Sequence, residues 1–277
     1  MFRDLVLLVL ITVGALAAVN ALLIDDLKHD LAEARIGSAT ALVRDEVRSL
    51  LTPVQQQLLI LHDALRSNDL APDDTRALNA QMMPALTHID QIAAAVFADE
   101  SGAEYFLGRT EGGWLTRERP AGDADGSMFS LTRWSGADES LDSETAAVDH
   151  DPRERPWFRL AKAQLNVTDT DTGTGSEDRA LTWSPPYRFH TLGVPGTTAS
   201  IAWREDGRLL VAAFDVTLRR IIEAVDTLDL GAGGAGFLFN DMGGIYSGTD
   251  DADQGGFYSA ERQPGGTLAF EAVAAWR

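Results

Sequence analysis

Residues 5–24 form an apolar run whose only polar side chains are Thr12 and Asn20. About 20 such residues, at roughly 1.5 Å of helix rise each, match the hydrocarbon thickness of a bilayer. The run therefore predicts a transmembrane signal anchor over residues 1–24. Arg3 and the amino terminus precede it while Asp25 and Asp26 follow it, which orients the N-terminus to the cytoplasm and residues 25–277 outside. The predicted location is the cell inner membrane, with a periplasmic or extracytoplasmic domain. A cleavable signal peptide is the rival reading, supported by Ala15-Leu16-Ala17 and opposed by the length of the apolar run.

Composition narrows what that outer part can be. An apolar fraction of 45% can build a core, and 42 acidic against 23 basic residues give a formal net charge of -19. Phosphate backbones need a basic surface, so nucleic acid is not an expected partner. The chain has no cysteine, which excludes disulfides and thiolate metal sites.

After the anchor, apolar residues such as Val43, Val47, Leu51, Val54, Leu58 and Leu61 recur three or four apart among charges. This predicts a long amphipathic stalk helix, about 60 Å from Asp25 to Arg66, kinked rather than ended by Pro53. The stripe is a seam, for a second copy in a homodimer or for the domain's own packing. A second helix is predicted from Asp74 to about His88. Strand signals follow at 92–97, 104–107, 114–115, 180–183, 198–203 and 208–214, several joined by Gly- and Asp-containing turns. The polar segment 121–144 reads as excursions over the sheet. Asp215 is placed as the N-cap of a further helix carrying Leu218, Ile221, Ile222 and Val225. The predicted fold class is α+β, a mostly antiparallel sheet flanked by helices.

The most distinctive run is Asp151-Pro-Arg-Glu-Arg-Pro-Trp-Phe158, where two prolines fix the backbone around two arginines and two aromatics. With Tyr105-Phe106, Gly108-Arg109, Trp114, Trp183-Ser-Pro-Pro-Tyr187, Thr198-Ala-Ser200 and Phe214-Asp-Val-Thr-Leu218, it resembles the double Cache family of extracytoplasmic sensor domains. The resemblance implies a stalk over 25–72, a membrane-distal PAS-like module over 73–228 and the start of a smaller membrane-proximal PAS-like module over 229–277. It further implies a longer receptor, whose second span and cytoplasmic output domain follow.

Carried over residue by residue, the resemblance implies a ligand pocket of Arg155, Trp157, Phe158, Tyr187 and Asp215. A guanidinium fork grips a carboxylate, an indole N–H gives one directed bond, and a carboxylate accepts from an ammonium or hydroxyl. Each has an ordinary alternative: Arg155 as the partner of Asp149 or Asp151, Trp157 as core, Asp215 as a helix cap. The pattern departs at Phe158 and near His150, where amino-acid-binding members carry tyrosine. It departs again at Phe189, where they carry aspartate. These departures favour a small carboxylate or another polar metabolite over a generic free amino acid.

Other motifs fall away. The glycines from Gly231 to Gly236 match a dinucleotide spacing but follow a helix and open a strand, the reverse of the required context. Asp169-Thr-Asp171-Thr-Gly173 lacks the calcium-loop glycine, with Thr174 in its place. No phosphate loop, nucleophile elbow or HExxH motif occurs, so neither a cofactor nor catalysis is expected of this segment. A structural or adhesive ectodomain without a small ligand is the alternative to a sensor.

Overall fold

The structure, a computed structural model, describes residues 2–67, 70, 73–120, 128–171, 181–227, 234–239, 245–246 and 271–276. One helix, α1 (Phe2–Arg66), runs through Pro53 without ending. Of the stretch 5–24, only the side chains of Thr12, Val13 and Gly14 are described, so the expected span lies outside the described side chains. Among the described residues, no helix is long and apolar enough to cross a membrane.

Helix α2 (Thr75–His88) starts where Asp74 accepts a 3.0 Å hydrogen bond from the Ala77 amide, a side-chain N-cap. The sheet follows: β1 (Ile92–Asp99), β2 (Glu104–Thr110), β3 (Gly113–Arg119), β4 (Met128–Trp134), β5 (Ser140–Ala147), β6 (Leu181–Trp183), β7 (Tyr187–Arg188), β8 (Pro195–Glu205) and β9 (Arg208–Thr217). Every pairing in it is antiparallel, in the order β5-β4-β3-β2-β1-β9-β8-β6, with β7 pairing β8 beside β6. Between β5 and β6 lie a 3₁₀ turn (Pro152–Glu154) and helix α3 (Pro156–Asp171), and α4 (Leu218–Asp226) follows β9. Beyond it, β10 (Gly234–Phe239) pairs antiparallel with β11 (Ile245–Tyr246) and β12 (Glu271–Trp276) in a separate sheet.

The two-residue period of strands sorts the core onto two faces. On one face, Leu210, Ala212, Phe214 and Val216 of β9 join Ala199, Ile201 and Trp203 of β8, and the stripe Val43, Val47, Val54, Leu58 and Leu61 of α1 packs into the same core. That stripe is thus consumed by the domain's own packing, and the exposed apolar residues described on α1 beyond residue 34 are Leu42 and Ile60. On the other face, Leu209, Val211 and Ala213 meet Trp157, Phe158, Ala161 and Leu165 of α3.

Two expectations are corrected. The segment 121–144 is not an excursion: its described part contains β4 and most of β5, whose backbones complete a sheet ladder. Asp215 does not cap α4. It lies inside β9, and Thr217 is the N-cap, without a side-chain cap hydrogen bond. The Pro156-Trp-Phe158 run opens a 16-residue helix, with proline at its first position, where the missing N–H costs nothing.

Candidate functional site

The face that packs on α3 changes character at its end. Continuing the alternation Leu209, Val211, Ala213 places Asp215 on this face, and Glu104 and Phe106 of β2 and Arg117 of β3 share it. They line a small cavity with Val96, His150, Arg155, Trp157, Tyr187, Phe189, His190 and Thr191. Its volume is about 20 Å³, room for roughly one water molecule.

Arg155 reaches this cavity because Pro156 follows it. A residue before proline is pushed to extended backbone, and Arg155 has φ -74° and ψ 147°, turning the chain from the 3₁₀ turn into α3. Its guanidinium lies 5.2 Å over the Tyr187 ring and donates a 3.1 Å hydrogen bond to the Arg188 carbonyl. No ion pair joins Arg155 to a carboxylate among the described residues. Of the two carboxylates expected as its surface partner, Asp149 and Asp151, the second is otherwise engaged: Asp151 pairs with Arg153 at 2.6 Å and with Arg119 at 3.7 Å. Asp151 is consequently held below the usual carboxylate range, first by the Arg153 hydrogen bond.

Trp157 is both core and cavity wall. It is buried, and its carbonyl accepts from the Ser200 hydroxyl at 3.1 Å. Phe158 sits behind it, buried in edge contact at 5.6 Å, and does not line the cavity. Tyr187, Thr198 and Asp215 form a relay. The Thr198 hydroxyl donates to Asp215 Oδ1 at 2.6 Å, so the Tyr187 hydroxyl, 2.8 Å away, is the donor to Thr198. Burial pushes the Asp215 carboxyl up to about 7, against the opposing pull of Thr198, Arg155 and Arg117. Burial likewise pushes the Tyr187 phenol up, aided by Asp215.

The structure adds a charged group that sequence reading does not find. Arg117 holds Glu104 with two hydrogen bonds, Nη2 to Oε1 at 2.9 Å and Nε to Oε2 at 3.2 Å, both side chains being buried. His150 Nε2 lies 2.9 Å from the same Oε1. Burial pushes Glu104 up, yet the His150 hydrogen bond and the Arg117 charge hold it below its ordinary value. As an ionised carboxylate only accepts, His150 Nε2 carries the hydrogen. Arg117 also donates to the Thr191 hydroxyl and approaches His190 Nδ1 at 3.5 Å. The His150 and His190 rings lie 4.9 Å apart. The segment carrying His190 is seated tightly: a Cβ at Gly196 would lie 2.1 Å from the Phe189 ring, so only glycine fits there.

Four of the five expected residues thus converge on one cavity, with Phe158 supporting from behind. Glu104 opens its strand and Arg117 belongs to the consecutive charges Arg117-Glu-Arg119, which read equally as a solvated strand end. Among the described residues, no group of three or more potential metal ligands is placed to hold an ion.

No protein family matches the sequence, and no curated protein matches it. Solved structures do match in fold. The ligand-binding domain of the Pseudomonas fluorescens chemoreceptor CtaA in complex with L-valine superposes with a TM-score of 0.53 at 16% identity, covering 89% of this chain and 96% of that one. The ligand-binding domain of the Pseudomonas aeruginosa PAO1 amino acid chemoreceptor PctB in complex with L-Arg gives 0.51 at 20% identity, covering 83% and 75%. The sensory domain of the Campylobacter jejuni chemoreceptor Tlp3 gives 0.51 at 15% identity, covering 81% and 75%. The chain shares the fold of these chemoreceptor ligand-binding and sensory domains.

Proposed function

We propose that the chain is the extracytoplasmic ligand-sensing part of a membrane-anchored signal-transduction receptor and has no catalytic role of its own. Its ligand is a small polar metabolite bearing a carboxylate. Arg155 grips the anion, Trp157 and Tyr187 bound it, and Asp215 reads a donor at its other end, with Phe158 fixing Trp157. The observation that carries this reading is the Arg155 guanidinium at the cavity: it has no carboxylate partner among the described residues, and the buried Asp215 lines the same space. The chemoreceptor domains that share the fold were solved with L-valine and L-Arg, ligands that also carry a carboxylate. The gathering of Arg155, Tyr187 and Asp215 around one space favours sensing over a purely structural ectodomain, and that space, with room for about one water, has to widen to admit a metabolite.

In this reading residues 5–24 anchor the chain, 25–277 lie outside the inner membrane, and α1 carries occupancy toward the bilayer. The module boundaries near residues 72 and 228 belong to the same proposal. With a net charge of -19, long-range steering slows an anion's approach, so affinity arises from the local arginine contact. A thermal-shift screen of organic acids, amino acids and amines against the 277-residue chain in detergent tests the proposal. Stabilisation by carboxylates, and none by amines lacking one, is expected. A hit set of amines alone would overturn the assignment of the anion grip.

A further inference from the structure

We propose that His150 is a further ligand-binding residue of the Arg155 cavity, its Nδ1 accepting a hydrogen bond from a hydroxyl group of the ligand. The ligand class narrows accordingly to carboxylates that also carry a hydroxyl. The inference rests on the cavity being the ligand site, and its test separates the two.

His150 lies in the segment that leads from β5 into the 3₁₀ turn, and its ring is one wall of the cavity. The side chain is 5% exposed, and that of Glu104, which it meets, 1%. The two ring nitrogens are served unequally. Nε2 lies 2.9 Å from Glu104 Oε1, and the ionised carboxylate only accepts, so the hydrogen of the neutral ring sits on Nε2. Nδ1 is then an acceptor. It is buried and has no hydrogen-bond partner among the described residues.

Donors around the cavity point elsewhere. Arg117 donates to Glu104 and to Thr191, and approaches His190 Nδ1 at 3.5 Å. The Tyr187 hydroxyl gives its hydrogen to Thr198, and Arg155 donates to the Arg188 carbonyl. A buried acceptor without a donor is costly, because it has lost water and gained nothing in exchange. Such groups are rare in folded chains, and the wall of a binding cavity is a place where a ligand completes one. The donor that fits here is a neutral one. An ammonium beside His150 would meet the Arg117 guanidinium, with Glu104 already held by two hydrogen bonds from that arginine. Glu104 and Arg117 are thus positioning residues: they fix the ring and its tautomer, and Nδ1 makes the contact.

Titration calorimetry at about pH 8 on the 277-residue chain in detergent tests this with acids that differ by one hydroxyl, propionate against lactate and succinate against malate. In at least one pair the hydroxy acid should bind about tenfold tighter or more. Glutamine at position 150 can still donate to Glu104 but has no acceptor where Nδ1 stood, so His150→Gln should reduce the preference to less than about threefold. Ring-nitrogen NMR of the wild type gives a readout that needs no variant. His150 Nδ1 should be unprotonated at this pH, and its signal should move when the hydroxy acid, but not the plain acid, is added. A preference that survives in His150→Gln would overturn the proposal, as it would then belong to Asp215. No preference in the wild type, a protonated Nδ1, or failure of all four acids to bind would overturn it as well. Each of these results leaves the sensing reading to the wider screen, where binding by other carboxylates would uphold it and binding by none would remove it.

Discussion

Replacing Asp215 by asparagine should stabilise the domain at neutral and alkaline pH and leave it nearly unchanged in acid. Asp215 is buried, and its described hydrogen bond is the 2.6 Å contact from Thr198. Burial raises it to about 7, so the folded chain holds the proton more tightly than the unfolded chain, where an aspartate titrates near 3.9. The contribution is complete below that unfolded value and is lost as the pH rises through about 7. Three decades of pH at about 1.4 kcal/mol each amount to a loss of roughly 4 kcal/mol. Asparagine cannot ionise, and its carbonyl still accepts from Thr198. The variant should therefore gain up to about 4 kcal/mol on the wild type between about pH 4 and pH 8, roughly 8–16 °C in Tm for a domain of this size. Calorimetric melts across that range measure the difference directly. A wild-type minus variant difference that stays constant with pH would refute the burial argument for Asp215.

Arg117→Ala leaves Glu104 buried with His150 as its remaining partner, which should cost roughly 3–5 kcal/mol in urea unfolding; Glu104→Gln added to it should recover part of the loss. Trp203→Ala removes a fully buried ring that stacks edge-on to His62 of α1 at 4.9 Å and lies 6.1 Å from Phe97. It should cost roughly 3–5 kcal/mol and loosen α1 from the sheet, seen as faster exchange of the amides near His62. For dimerisation, cysteines at Leu42 and Ile60, exposed large apolar residues of α1, should cross-link better than cysteines at Arg44 or Arg48. Equal yields would remove α1 as the dimer contact.

What was legible in the sequence followed from local chemistry. The run 208–214 read as a strand because both faces of β9 are buried, and α2 read as a helix from its Asp74 cap. β5 did not read as a strand because nearly all its residues are exposed, so no apolar alternation marks it. α3 was not predicted: it opens on Pro156 and ends among the Asp and Thr residues 168–171, which are weak helix formers. Arg155, Trp157, Tyr187 and Asp215 were named only through the resemblance to the double Cache family, and the structure brings them to one cavity. The Glu104 cluster was not, because its partners lie 13 and 46 residues away and meet only when β2, β3 and the segment before α3 are brought together. Asp215 was given two roles, and its place inside β9, with Thr217 at the N-cap of α4, removes the helix-cap one.

The most direct test of the sensing claim is titration calorimetry of the tightest carboxylate found in the screen, against the wild-type chain and Arg155→Ala. Arg155 is half-buried and anchors no described carboxylate; the variant loses the hydrogen bond to the Arg188 carbonyl and the contact with the Tyr187 ring, so it should still fold, with a loss of about 1–2 kcal/mol. Loss of a desolvated, charge-assisted contact costs about 2–5 kcal/mol, so binding should weaken at least tenfold. Equal affinity in the two proteins, or an Arg155→Ala chain that merely unfolds, would contradict the account and return Arg155 to a structural role.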